Sequence, residues 1–193
     1  TVPQLNRESD MLRNTPTGYG WISILLHWLV AVAIIGLFAL GLWMTELTYY
    51  DPWYREAPAI HKSIGILLFL GVLLRLAWRW GNPRPAPLPN HKAWEKRLGH
   101  AMHGLLYALP LLVMLSGYLI STAEGRPIEV FGWFSVPATI SGFDNQEDIA
   151  GEIHEILAFI LIGLAGLHTL AALKHHLIDR DRTLRRMLRT RPE

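Results

Sequence analysis

The sequence predicts an all-α protein, a transmembrane four-helix bundle with both termini on the cytoplasmic side. Three observations lead there: four apolar runs near the length of a bilayer crossing, basic residues gathered in alternate connections, and histidines near the ends of the runs. Of 193 residues, 51% are hydrophobic and only 18% charged, and the mean hydropathy is +0.22. A soluble domain carries about 25% charged residues. Here the charges lie in short stretches that leave the apolar runs intact, and one membrane domain, 1–193, is expected at this length.

The elements follow in order. Residues 1–20 are polar, with Arg7, Glu8, Asp10 and Arg13, and do not resemble a secretory leader. The first apolar run is expected to direct insertion itself. Helices are expected over about 21–44, 58–80, 98–121 and 153–178, each close to the roughly 20 residues a crossing requires. Pro110 falls inside the third, where neighbouring helices can satisfy the carbonyl it frees, so a kink is expected there rather than a break. The Pro-rich stretch GlyAsnProArgProAlaProLeuPro at 81–89 reads as a stiff linker. The basic tail, 179–193, is expected to be a frayed amphipathic end lying on anionic headgroups.

Charge sets the orientation. The second connection holds Arg79, Arg84, Lys92, Lys96 and Arg97, and the C-terminal region holds Lys174, Arg180, Arg182, Arg185, Arg186, Arg189 and Arg191. By contrast, 45–57 has only Arg55, and 122–152 has only Arg126 among Glu124, Glu129, Asp144, Glu147, Asp148 and Glu152. Positively charged connections stay in the cytoplasm. The first and third connections then face the opposite compartment, the periplasm in bacteria. Tyr19, Trp21, Trp43, Tyr49, Tyr50, Trp53, Tyr54, Trp78, Trp80 and Trp133 fall at the predicted boundaries and read as interfacial anchors.

There is no cysteine, which excludes disulfides, iron–sulfur clusters and thiolate metal sites formed by this chain. A tightly held metal must rely on histidine, carboxylate or thioether. Nothing points to a nucleic-acid partner; the partners expected are membrane lipid and redox molecules.

Sorting the histidines by depth is the decisive step. His154 and His168 stand fourteen residues apart on the last apolar run. On a helix that spacing is about 21 Å of rise and almost four turns, so both rings leave nearly one face at opposite depths. Given the orientation, His61 shares the external depth of His154, and His27 the internal depth of His168. Ionisable groups inside a span are costly and need partners. Two imidazoles facing each other from different helices suit a six-coordinate haem b. Gly36, Gly65, Gly71, Gly104, Gly117, Gly163 and Gly166 offer room for a porphyrin. A zinc or proton pathway would need more carboxylates within the membrane than these spans supply.

Other residues attach to these two depths. His100 and His103 open the third run and can compete as inner ligands, although a bond to a haem propionate or a quinone suits them better. His175 follows His168 by seven residues on the same face, placed for a quinone headgroup or for the surface, with His176 beside it. His91 reads as solvated. Lys62 is placed for outer propionates, and Arg75 and Arg79 for inner ones, with snorkelling to headgroups as the competing role.

At these residues the sequence resembles the bacterial cytochrome b561 family, diheme four-helix membrane cytochromes related to the b subunits of hydrogenases and formate dehydrogenases. The resemblance rests on IleLeuLeuHisTrpLeuVal at 24–30, IleHisLysSerIleGly at 60–65, GlyHisAlaMetHisGlyLeuLeuTyr at 99–107 and GlyArgProIleGluValPheGlyTrpPhe at 125–134. It continues in HisGluIleLeuAla at 154–158 and GlyLeuHisThrLeuAlaAlaLeuLysHisHis at 166–176. It implies two haem b groups, held by His27 with His168 and by His61 with His154. It also implies electron transfer between an external one-electron donor and ubiquinone in the cytoplasmic (inner) membrane, with superoxide the donor for some members.

The expected function is therefore electron transfer across that membrane. The alternative is a membrane-anchor cytochrome b subunit relaying electrons for a larger redox complex. A histidine-lined transporter without haem is the remaining class. The outer connections are acidic apart from Arg55, Lys62 and Arg126, a charge that disfavours superoxide and that a basic cytochrome or another redox partner can equally meet.

Overall fold

The computed structural model describes residues 11–88 and 91–190. Arg7, Glu8, Asp10, Pro89 and Arg191, named above, lie outside them. Four helices dominate: α1 (Trp21–Thr45), α2 (Glu56–Trp80), α3 (Ala93–Thr122) and α4 (Gln146–Leu177). Between α3 and α4, strands β1 (Ile128–Val130) and β2 (Phe134–Val136) pair antiparallel. A single 3₁₀ turn, Arg185–Met187, follows α4.

All four helices are long and apolar enough to cross a membrane, and the chain is a multi-pass membrane protein. Two begin earlier than their apolar runs. At the start of α3, Lys92 N–H donates to Glu95 Oε2 at 2.9 Å, so the helix opens at Ala93 rather than near Leu98. For α4, Glu147 and Asp148 suit the positive end of the helix dipole, and Gln146 Nε2 donates to Leu119 O at 2.9 Å, moving the start to Gln146. Both extensions are polar turns, invisible to a reading that follows hydrophobicity. Pro110 is buried and α3 runs unbroken through it.

The helices associate as two antiparallel hairpins. α1 packs chiefly on α2 and α3 on α4; α2 also meets α3, while α1 and α4 approach each other at few points. At mid-depth Val30, Leu68 and Val72 form a buried cluster flanked by Leu37, Leu111 and Met114. Phe38 and Phe159 meet edge to face at 5.2 Å across the α1–α4 seam. Many large apolar side chains point outward, among them Val32, Ile35, Leu74, Ile160 and Leu170. In lipid such exposure carries no hydrophobic penalty.

Each end of the bundle is closed by polar bonds. At the hairpin end, buried Ser63 Oγ donates to Glu129 O at 3.3 Å and accepts from Phe131 N–H at 3.2 Å, seating the strands on α2. The turn between the strands holds Phe131 and Gly132 at φ 50° and 71°, a region that side-chain-bearing residues seldom occupy. Fully buried Thr122 Oγ1 lies 2.9 Å from Tyr118 O and 2.8 Å from Ile140 O, fastening the chain after the strands to α3. At the opposite, tail end, Asn14 Oδ1 accepts from Gly20 N–H at 3.0 Å and Ser23 Oγ at 2.6 Å. Asn14 Nδ2 donates to Pro83 O at 3.0 Å.

The basic tail differs from its expected frayed form. Trp28 Nε1 donates to Met187 O at 2.7 Å and Arg186 Nη1 to Ala86 O at 2.8 Å, so the described part of the tail folds back on α1 and the α2–α3 connection. Its charge pattern suggested headgroup binding; the Met187 carbonyl and one nitrogen of the Arg186 guanidinium find partners within the chain.

A Cβ on Gly20 would stand 2.3 Å from Leu12 O and 2.5 Å from Arg13 O, both backbone atoms. Gly20→Ala should therefore lower the melting temperature in detergent and expose residues 11–20 to protease. Thr122→Val, which leaves the helix backbone intact, should cost about 1 kcal/mol through loss of the Thr122 bond to Ile140 O, which keeps only the 3.4 Å bond from Gln146 Nε2. Differential scanning of the two variants against wild type checks both expectations.

Candidate functional site

α4 carries His154 near the hairpin end and His168 near the tail end, and each ring faces a histidine of the other helical hairpin. His154 meets His61 of α2 with ring centroids 6.2 Å apart and planes at 71°. His168 meets His27 of α1 at 6.4 Å and 79°. Neither separation suits direct hydrogen bonding or tight stacking. Two imidazoles on opposite sides of one metal ion have centroids about 6.3 Å apart, given metal–nitrogen bonds of about 2.0 Å and a ring radius of about 1.15 Å. Both pairs match that distance.

The outer rings are seated with little freedom. His154 Nδ1–H donates to Val113 O at 2.9 Å, with Ser116 Oγ 3.1 Å away, so Nε2 is the nitrogen available to a metal. A Cβ on Gly117 would lie 3.1 Å from His154 Cε1, and one on Gly41 would lie 3.4 Å from His61 Cε1. The glycines let each ring lie against a helix backbone. His61 Nδ1 is a buried polar atom with no partner among the described residues. Lys62 is exposed beside it.

The inner pair has closer company. Arg75 Nη2 donates to His27 Nδ1 at 2.9 Å. The Arg75 and Arg79 guanidiniums lie over the Tyr107 ring at 5.1 and 5.4 Å. His103 of α3 stands 5.3 Å from His168, closer than the rings of either facing pair. Three imidazoles and two guanidiniums thus converge at the tail end.

Other expected residues fall elsewhere. His100 is exposed and its Nδ1–H donates to Lys96 O of its own helix at 2.6 Å, away from the inner pair. His175 Nδ1–H donates to Asp179 Oδ2 at 2.7 Å. His91, expected to be solvated, is largely covered: its Nε2–H donates to Asp181 Oδ2 at 2.7 Å. Burial alone would raise the Asp181 carboxyl, but bonds from Thr183 and His91 outweigh it and hold the group below the usual carboxylate range. Lys174 does the same for Asp179. Ser116, Gly41, Tyr107 and the Val113 carbonyl were not among the expected site residues. They gain meaning only once α3 and α1 are set against the rings.

Comparison with known proteins shows the family. Residues 18–190 match the family model described as prokaryotic cytochrome b561. The chain is 52% identical to "Cytochrome b561 homolog 2" of Escherichia coli (strain K12) over 175 residues, 91% of this chain and 93% of that protein. It is 30% identical to "Probable superoxide oxidase CybB" of Yersinia pestis over 171 residues, covering 88% and 95% of the two chains. It is 29% identical to "Cytochrome b562" of Cereibacter sphaeroides over 181 residues, covering 90% and 97%. The chain belongs to the prokaryotic cytochrome b561 family, membrane-embedded electron-transport proteins that carry b-type haem.

Proposed function

We propose that the chain is a two-haem cytochrome carrying single electrons across the bacterial cytoplasmic membrane, from a donor at the hairpin end to the quinone pool. The observation that carries this reading is the matched separation of the two imidazole pairs, 6.2 and 6.4 Å, each bridging the helical hairpins. His61 with His154 would hold the haem nearer the donor, and His27 with His168 the haem nearer the cytoplasm. Bound there, b-type haem supplies reversible one-electron chemistry.

The chain's own residues position, insulate and tune. The Val113 carbonyl fixes which nitrogen His154 presents. The cluster of Val30, Leu68 and Val72 keeps water from the layer between the two depths. Arg75 Nη2 stands 2.9 Å from His27 Nδ1, and beside a bound haem its guanidinium would be a buried positive charge able to pair with a propionate carboxylate. Lys62 is the corresponding cation outside. Quinone reduction takes up protons, and the basic tail end, placed in the cytoplasm by the positive-inside rule, is the face that meets them.

The donor follows from charge. Glu46, Asp51, Glu56, Glu124, Glu129, Asp144, Glu147, Asp148 and Glu152 crowd the hairpin end against Arg55, Lys62 and Arg126. This field favours a basic redox protein over superoxide, an anion. The second reading, a membrane anchor relaying electrons within a larger complex, draws on exposed Trp133 and Phe143 at the same end, which with the acids offer a docking face. Purified protein that reduces quinone with a small donor supports independent action. Activity seen only with a co-purifying redox subunit supports the anchor role.

Three outcomes check the assignment. His61→Ala and His154→Ala should each remove one haem and spare the other; His27→Ala and His168→Ala should remove the second; His103→Ala should retain both. Loss of both haems from a helical protein, or of none, overturns the pairing. Arg75→Gln should lower the midpoint potential of one haem by about 70 mV, the effect of a unit charge over about 10 Å at an effective dielectric of about 20. Redox titration reads that shift, and a rise would contradict the placement. Electron transfer from a reduced basic cytochrome should slow as salt rises from about 20 to about 200 mM, as screening demands; an increase would point to an anionic donor.

A further inference from the structure

Away from the two imidazole pairs, the tail end gathers a second group of metal-ligating side chains. His91 comes from the α2–α3 connection, His175 from the last turn of α4, and Asp181 from the tail. The two rings lie 4.4 Å apart, tilted by 31°. Asp181 Oδ2 accepts from His91 Nε2 at 2.7 Å and stands 3.6 Å from His175 Nδ1. One ligand atom from each residue falls within 4.8 Å of the others. The side chains are mostly covered, at 17%, 15% and 5% exposed.

Physical chemistry favours a doubly charged ion here over protons alone. The two imidazoles lie in close contact and both face one carboxylate, Asp181, so a single ion can meet all three side chains. A tetrahedral zinc-type ion with bonds of about 2.0–2.1 Å spaces its ligand atoms about 3.4 Å apart. The observed 2.7 and 3.6 Å lie on either side of that value. The ligands are also held in place. Asp181 N–H donates to His175 O at 3.0 Å, and Thr183 N–H donates to Asp181 Oδ1 at 2.7 Å. The neighbouring acids are already neutralised, since Lys174 Nζ bonds Asp179 at 2.7 Å and Glu95 at 3.1 Å.

We propose that His91, His175 and Asp181 form a binding site for a divalent transition-metal ion of zinc type, which clamps the C-terminal tail to the α2–α3 connection. Water or Asp179, whose Oδ2 lies 2.7 Å from His175 Nδ1, completes the coordination. Binding exchanges protons for metal: the proton between His91 and Asp181 leaves, and no redox step is involved. The site stands independently of the haem assignment.

The test uses full-length, haem-loaded protein in detergent, stripped with chelator and titrated with Zn²⁺ by calorimetry. One zinc per chain is expected. His91→Gln and Asp181→Asn should each weaken binding by at least about tenfold, the smallest loss seen when even an outer-sphere partner is removed. Zinc should also slow tryptic cleavage after Arg182 and Arg185 in wild type, but not in the variants. The haem absorption spectrum, unchanged throughout, reports that each variant is folded. Absence of zinc binding by wild type, or equal affinity in all three proteins, overturns the proposal. Binding that persists in these variants and disappears in His100→Gln would assign the metal to an exposed surface histidine.

Discussion

Helix α4 has to present one imidazole to each of two partner helices across a seam that apolar packing barely closes. Water drives the association of soluble helices by burying their apolar faces, but lipid is as apolar as leucine, and that force is absent within the bilayer. What remains is close backbone approach, polar bonds and shared ligands. The α1–α4 contact is sparse, while the imidazole pairs bridge the same divide at both ends. In the proposed function, haem ligation is therefore also the joint between the two helical hairpins, and cofactor binding and bundle stability are expected to be coupled.

That constraint accounts for details that hydrophobic periodicity does not. Gly41 and Gly117 occur where a ring must lie against a backbone, rather than where the helices need flexibility. Ser116 and the Val113 carbonyl hold His154 in one tautomer, the arrangement a metal ligand requires. The two ends then diverge in character. The hairpin end is acidic, with its strands fastened to α2 through Ser63. The tail end is basic, its arginines stacked on Tyr107 and its tail tied to Trp28. In the proposed function, an electron path between these ends would join two electrostatic surroundings, and the buried guanidinium of Arg75 would bias the inner haem toward the reduced state.

Much of this was legible in the sequence because lipid imposes strict rules. Span length reveals the four helices, and the fourteen-residue spacing on α4 separates two depths. Two kinds of feature were not legible. Polar extensions such as Lys92–Glu95 and Gln146–Asp148 lie outside the apolar runs, so the helix starts were set too late. Contacts distant in sequence were also hidden: nothing near His91 signals Asp181, ninety residues away, and nothing near Arg186 signals Ala86. The tail therefore read as a frayed amphipathic end on anionic headgroups. His100 and His103 show the same limit within one turn of helix, since only the bundle distinguishes the ring near His168 from the ring facing outward.

The most direct measurement is haem stoichiometry together with low-temperature electron paramagnetic resonance of the oxidised, purified wild-type protein. Two haems per chain, both low-spin ferric with two nitrogen ligands, is the predicted result. A single haem per chain, or a high-spin signal showing an iron with only one imidazole, would contradict the paired sites on α4.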